Sequence, residues 1–185
     1  MKLKNLFRAM ALVAVIATSS VFMFSCDKVK ELAEFDVAYT LPDVHFSIDS
    51  TNYLPKTEQL LIEQTLTLNV DSIIQKHNLD GIGETGFEYV RLVIEDPDNV
   101  NFSWLNSSRV TVSAQDLAET QVAAITTVNP DGRTLDLQLT NTNVSSVIST
   151  GTFVLRVYAD FTPPLPVATI GLALQSRIKM TVQPL

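Results

Sequence analysis

The sequence predicts an all-β fold, an antiparallel sandwich of two sheets with one or two short helical turns. Short segments in which apolar and polar residues alternate recur along most of the chain, and Pro, Gly, Asn and Asp separate them. No long segment has the 3.6-residue period of an amphipathic helix. Strands do not alternate with long helices, so we expect antiparallel pairing in an immunoglobulin-like or jelly-roll arrangement rather than a small barrel.

Turn residues bound the predicted strands of the first half, which are the segments 35–41, 44–48, 59–70 and 87–95. A short helix is predicted at residues 72–77, with Asp71 or Ser72 as its cap. Gly81 and Gly83 predict a loop before the last of these strands. That strand is apolar on both faces and is therefore expected at the centre of a sheet.

The predicted strands of the second half are the segments 109–113, 121–128, 133–140, 153–161 and 168–182. The sequence Asn-Pro-Asp-Gly at residues 129–132 predicts a turn, because Pro suits the second position of a turn and Gly suits a positive φ. We therefore expect the strands on either side to form a hairpin. Asn143 is expected to cap a helical turn that ends at Gly151.

The last predicted strand is longer than the usual strand of about 3–10 residues. We expect a bend, a bulge or a hairpin near Gln175 and Ser176. If this segment lies at a sheet edge, its apolar side could handle apolar cargo or accept a strand from a partner.

The first 25 residues follow the plan of an export signal. Lys2, Lys4 and Arg8 form a positive region, residues 9–17 are apolar, and small polar residues follow. The apolar run is short for a helix that crosses the bilayer core.

Met23, Phe24, Ser25 and Cys26 end this signal and resemble the lipobox of bacterial lipoproteins. In that family the cysteine thiol takes a diacylglycerol and the signal is cut immediately before it. Ser25 fits the small position and Met23 the apolar one, whereas Phe24 departs from the usual small or β-branched residue. The resemblance implies lipid attachment at Cys26. Two alternatives remain, an uncleaved membrane anchor and an ordinary cysteine after a plain secretory signal.

The predicted organisation is a signal peptide at residues 1–25, a lipidated tether at 26–34 and one domain at 35–185. Cys26 is the only cysteine, and an unpaired thiol in an exported chain needs an explanation, which lipidation supplies. Without the signal, ten basic and twenty acidic residues give a formal charge of −10. This balance argues against nucleic acid as a partner, because phosphate binding requires basic patches.

Asp96, Asp98 and Asn101 are candidate calcium ligands, because calcium prefers oxygen ligands. Their spacing does not match an EF-hand loop, so a solvated turn is favoured. His45 and His77 are the only histidines, and without a cysteine cluster they do not predict a zinc site.

Trp104, Phe102, Tyr158 and Tyr89 are candidates for an exposed aromatic patch that binds a sugar or a protein. The alternative for Trp104 is that it closes one end of the sandwich. The chain lacks a Gly-x-Ser-x-Gly nucleophile motif and a Gly-rich phosphate loop. We therefore predict no catalytic residues, no cofactor and no enzymatic activity.

Together these features predict a lipid-anchored module of the bacterial cell envelope that binds a protein or glycan or has a structural role. We expect it on the outer rather than the inner membrane, facing the periplasm or the cell surface. The tripeptides at residues 49–51 and 71–73 resemble the short O-glycosylation pattern of Bacteroidota exported proteins. The alternative is an accessory of envelope assembly or transport that handles apolar cargo or a partner's strand; a hydrolase is less favoured.

Overall fold

The computed structural model describes residues 34–51, 57–77, 79–129, 132–162 and 164–184. The predicted fold class is confirmed: within these ranges, two antiparallel five-stranded sheets face each other across one apolar core. Two short α-helices and one 3-10 turn complete the secondary structure of the described ranges. None of the described helices is both long and apolar enough to span a membrane.

The elements follow in chain order: β1 (Phe35–Thr40), β2 (Val44–Asp49), β3 (Gln59–Thr67), α1 (Val70–His77), β4 (Leu79–Asp96), a 3-10 turn (Phe102–Trp104), β5 (Leu105–Ser113), β6 (Thr120–Ile125), β7 (Thr134–Asp136), β8 (Gln138–Leu139), α2 (Ser145–Ile148), β9 (Thr152–Phe161) and β10 (Thr169–Pro184). Sheet A has the order β1–β10–β4–β7, and β2 pairs with the same side of β10 as β1. Sheet B has the order β3–β9–β5–β6–β8.

The strand pairs are nested along the chain. The first strands, β1 and β2, pair with the last strand, β10; β3 pairs with β9, β4 with β7, and β5 with β6. A long hairpin rolled onto two sheets gives this pattern, which is that of a jelly roll. Of the two arrangements that the sequence leaves open, the pairing therefore selects the jelly roll over the immunoglobulin-like one.

The strand β10 lies inside sheet A, between β1 and β2 on one side and β4 on the other. Every even-numbered residue from Ile170 to Val182 is buried. Four register shifts occur against β4, and each places the extra residue in β4, so β10 keeps its alternation. The shift between Arg177 and Ile178 adds a residue to β4, whereas β10 is one continuous strand, so the bend, bulge or hairpin expected in it near Gln175 and Ser176 is absent. Because β10 is paired on both sides, the edge position required for binding cargo or a partner's strand is absent.

The predicted hairpin around residues 129–132 is only partly present. Its second arm crosses between the sheets: β7 pairs with β4 in sheet A, and only β8 pairs with β6 in sheet B. Leu135 and Leu137 are both buried, and Leu135 lies opposite Leu92 of β4. Pro130 and Asp131 of the predicted turn lie outside the described residues. Burial of these leucines decides which sheet receives the chain after Gly132.

The cap of α1 is Asn69 rather than Asp71 or Ser72. The Asn69 Oδ1 accepts a hydrogen bond from the Ser72 backbone N–H at 2.9 Å, which is the usual bond of an N-cap to the third helical residue. The predicted strand 59–70 accordingly ends at Thr67.

The glycines expected in a loop lie instead within β4. A Cβ atom at Gly83 would lie 2.7 Å from the backbone oxygen of Thr181 on β10, so glycine permits this close pairing. The N-cap of α2 is Val144, which forms no side-chain cap bond, so the cap expected at Asn143 is not the N-cap. The Asn143 Oδ1 accepts from the Ser145 N–H at 2.9 Å from one position before the cap, and Gly151 follows α2 with a φ of 73°.

Candidate binding surface

Phe102 and Trp104 are core residues. Their side chains are buried, and the Trp104 ring lies 6.1 Å from the Phe102 ring and 6.0 Å from that of Phe161, centroid to centroid. The prediction that they belong to an exposed aromatic patch is therefore wrong, because the 3-10 turn that carries them points inward and closes the core.

The three candidate calcium ligands do not converge. The Asp98 carboxylate forms an ion pair with Arg133, and the Asn101 Oδ1 accepts from the Ser103 N–H at 3.2 Å to start the 3-10 turn. Asp96 is exposed at the end of β4. Among the described residues, no group of three or more His, Cys, Asp or Glu side chains could hold a metal ion. Cys26 lies outside the described residues.

Tyr158 lies on the solvent-facing side of sheet B. The inward-facing residues of β9 alternate with it and are buried, whereas Tyr158 is half-buried. The Arg109 guanidinium from β5 lies 3.8 Å from the centre of its ring, a cation–π contact. The Tyr158 hydroxyl donates to Glu119 Oε2 at 3.4 Å.

Charged side chains from three strands and two connections surround Tyr158. We call this set the sheet B network; its members are Glu58, Glu63, Arg109, Glu119, Arg156 and Tyr158. Arg109 donates to both carboxylate oxygens of Glu58, at 2.7 and 2.9 Å. Arg156 donates to Glu63 at 2.6 Å. Glu119 lies between the two guanidinium groups, 3.7 Å from Arg109 and 3.5 Å from Arg156.

Strand register explains why these side chains meet. Arg109 lies directly opposite Tyr158 in the β5–β9 pair, and Glu63 lies opposite Arg156 in the β3–β9 pair. Directly opposed residues have their Cβ atoms about 4.5–5.5 Å apart on the same face of the sheet. The network also covers Thr111, which has 1% of its surface exposed although it lies on the outer face.

Neighbouring groups of the network shift the pKa values of Glu119 and Tyr158. Burial by itself would raise the pKa of Glu119, but its hydrogen bonds and the positive charges of Arg156 and Arg109 outweigh burial and lower the pKa below its ordinary value. Burial, together with the neighbouring Glu119 carboxylate, raises the pKa of Tyr158. Glu119 therefore remains ionised at neutral pH, and Tyr158 remains a neutral hydrogen-bond donor.

The resulting surface is ordered and chemically mixed. Its two arginines are held on both sides by carboxylates, and Leu60, 48% exposed, lies opposite Tyr158 on the neighbouring strand. Tyr and Arg are enriched at the centres of protein interfaces, where side chains fixed in advance lose little entropy on binding. The geometry suits recognition of a polar protein surface.

Sequence reasoning identified Tyr158 but missed its neighbours. The outward alternation of β9 could have indicated Arg156, because it occupies the same face two residues earlier. Glu58 and Glu119 lie in connections, and only the pairing of β3 with β9, β9 with β5 and β5 with β6 brings them to this face.

No protein-family model matches the sequence, and no curated protein matches it significantly. Three virus structures show limited similarity. A chain in the structure of infectious bursal disease virus, Gx strain, has 10% sequence identity and a TM-score of 0.38. The match covers 80% of this chain and 32% of that chain. Desmodium yellow mottle tymovirus is 11% identical with a TM-score of 0.26, over 82% and 90%. Tobacco necrosis virus is 10% identical with a TM-score of 0.22, over 77% and 96%. This chain thus spans about a third of the first of these chains, and the overlap carries no argument about function.

Proposed function

We propose that the protein is a lipid-anchored module of a bacterial cell envelope that binds a partner protein through the sheet B network and catalyses no reaction. The observation that carries the proposal is the signal-like segment that ends in Cys26, the only cysteine of the chain. Two or three acyl chains would hold the domain to a bilayer almost permanently, since each buried methylene contributes about 0.8 kcal/mol.

Mass spectrometry of the N-terminal peptide from membrane-extracted protein tests the anchor. We expect a chain that begins at Cys26 and carries the mass of a diacylglycerol. In the Cys26→Ser variant, the protein should leave the membrane fraction. An unmodified Cys26 thiol in membrane-extracted protein would contradict the anchor.

The network supports the binding role because its side chains are positioned before any partner arrives. Arg109 and Arg156 are 30% and 21% exposed, so each presents part of its guanidinium to solvent while its ion pairs fix its orientation. A surface organised in this way meets a partner without a large loss of side-chain entropy.

A matched pair of variants tests this surface. Tyr158→Ala removes the ring under Arg109, whereas Tyr89→Ala removes a ring that lies 4.6 Å from Arg91 on sheet A. We expect cross-linking in intact cells, followed by purification from solubilised membranes, to recover the same protein with the wild type and Tyr89→Ala. Recovery should fall at least about tenfold with Tyr158→Ala, the loss expected when an interface aromatic is removed. Equal recovery with both variants would contradict the proposed surface.

A further inference from the structure

A depression of about 250 Å³ lies on the solvent-facing side of sheet A, where β4 and β10 pair. Its position follows from the register, since Gly86 lies opposite Lys179, and Lys179 alternates with buried Ile178 and Met180. The connection between β8 and α2 borders it. The residues used below are Glu84, Gly86, Phe87, Asn141, Asn143 and Lys179.

Gly86 creates the space. A Cβ atom added there would meet no other atom within 4 Å. The strand therefore has no side chain at the position beside the connection between β8 and α2. Gly83, three residues earlier, differs because the backbone of β10 lies so close that no side chain fits there. The gap above Gly86 is therefore available to a ligand.

Several polar groups at the rim are held by bonds to the protein. The Asn143 Oδ1 accepts from the N–H groups of Thr85 at 3.2 Å and Ser145 at 2.9 Å, which fixes the amide and leaves its NH2 group as a donor. Lys179 forms an ion pair with Asp36 at 3.1 Å. Such fixed groups bind a ligand at little entropic cost.

Other groups at the rim are unused. The side chains of Glu84 and Asn141 make no hydrogen bond or ion pair with another described residue. Asn141 has a φ of 54°, a left-handed conformation that Asn adopts more readily than most residues. Half-buried Phe87 adds one apolar surface.

The chemistry of these groups selects a class of ligand. Amide and carboxylate groups offer several donors and acceptors, whereas Lys179, the only cation among the described residues at the rim, is already neutralised by Asp36. A phosphate or sulfate would require free cations. A neutral molecule with many hydroxyl groups matches both the mixed donors and the small volume, which lies just below the range of about 300–1,000 Å³ usual for drug-sized ligands.

We propose that this depression binds a neutral carbohydrate, one or two sugar units of an oligosaccharide. The proposal is independent of the anchor at Cys26 and of the sheet B network, since none of the residues involved is shared. It assigns sheet A and sheet B to two different ligands.

A matched pair of glycine variants tests the site. Gly86→Val fills the depression, whereas Gly81→Val adds the same side chain to the same strand at a position that also has open space and does not line the depression. The probes are cellotetraose, maltotetraose, mannotetraose and chitotetraose, titrated calorimetrically into the detergent-solubilised full chain. We expect at least one probe to bind the wild type and Gly81→Val equally, and Gly86→Val to bind it at least about tenfold more weakly, a difference readily measured.

A second variant covers the case in which Gly86→Val does not fold. Asn141→Gly removes the unused amide, and glycine suits the positive φ at this position, so the fold should persist. We expect binding about two- to twelvefold weaker, in keeping with the loss of one hydrogen bond of about 0.5–1.5 kcal/mol. The proposal would be overturned if the wild type bound none of the four probes at about 10 mM. It would also be overturned if both variants bound a probe with unchanged affinity.

Discussion

At the scale of single residues, Trp104 has the most demanding environment. Its ring is buried between Phe102 and Phe161, yet its indole Nε1 has no hydrogen-bond partner among the described residues. A buried donor without a partner costs about 1–3 kcal/mol. Trp104 therefore stabilises the fold through its apolar area and ring contacts, whereas its unpaired N–H group destabilises the fold.

Two substitutions separate these contributions. Trp104→Ala should lower the free energy of unfolding by about 3–5 kcal/mol, because it leaves a large cavity. Trp104→Phe should cost less than half as much, because it keeps a ring and removes the unpaired N–H. Urea unfolding followed by circular dichroism measures both, and equal losses would show that the N–H has a partner in solution.

His45 makes a contact across a whole strand. Its Nδ1 lies 2.9 Å from Glu95 Oε2, although β10 separates β2 from β4. Two features allow this: Ala173, the residue of β10 between them, is small, and Glu95 is the extra residue at a register shift in β4. The hydrogen bond to Glu95, followed by its charge, raises the pKa of His45 above its ordinary value.

This raised pKa predicts a dependence of stability on pH. A histidine with a higher pKa in the folded state stabilises the protein while it is protonated, and this stabilisation is lost as pH rises through the folded-state pKa. The urea midpoint should therefore be higher at about pH 5.5 than at about pH 8, on either side of the ordinary histidine pKa. His45→Gln should reduce this difference. The lowered pKa values of Asp36 and Glu119 act at lower pH, where these carboxylates gain protons. A difference unchanged by His45→Gln would assign it to other groups.

At the scale of the elements, the irregularities in the pairing of β4 with β10 all lie in β4. The extra residues at all four register shifts belong to β4, which also carries three of the chain's glycines, Gly81, Gly83 and Gly86. These glycines have different environments: at Gly83 the partner backbone is in contact, and at Gly86 the space is open.

Substitution by alanine distinguishes them. Gly83→Ala should destabilise the protein by about 1–3 kcal/mol, since its Cβ would lie 2.7 Å from a backbone oxygen that cannot move without disturbing the pair. Gly86→Ala should be neutral or stabilise by up to about 1 kcal/mol, because alanine restricts the unfolded chain. Thermal unfolding of the two variants provides the comparison, and similar melting temperatures would refute the assignment.

The elements also show what the sequence could predict. Alternation predicted β9 and β10 well, because a strand with one buried face must repeat every second residue. The prediction for the arm after Gly132 is right for β8, which pairs with β6, and wrong for β7, which pairs with β4 in the other sheet. A local turn signal does not encode that choice of sheet. The sheet B network depends on residues far apart in sequence, such as Glu63 and Arg156, and pairing alone brings them together.

At the scale of the whole molecule, the nested pairing brings distant parts of the chain together. Asp36 lies opposite Thr181, and the Thr181 hydroxyl donates to the Asp36 carboxylate at 3.1 Å across 145 positions of sequence. A fold dominated by such pairs is expected to form slowly, because large loops must close before the contacts stabilise them.

A disulfide at this pair would close almost the entire described chain. In a Cys26→Ser background, Asp36→Cys with Thr181→Cys should raise the free energy of unfolding by up to about 5 kcal/mol in the chain-entropy model, less any strain. The reduced form of the same variant is the control for the lost ion pair with Lys179. A gain no larger than that of the reduced form would indicate that the strands do not approach as described.

The central position of β10 in sheet A has a consequence for the order in which the sheet can form. During synthesis β1, β2 and β4 are made before their shared neighbour β10. Sheet A therefore has no middle strand until the final residues arrive. This order is expected to delay completion of sheet A until residues 169–184 are available for pairing.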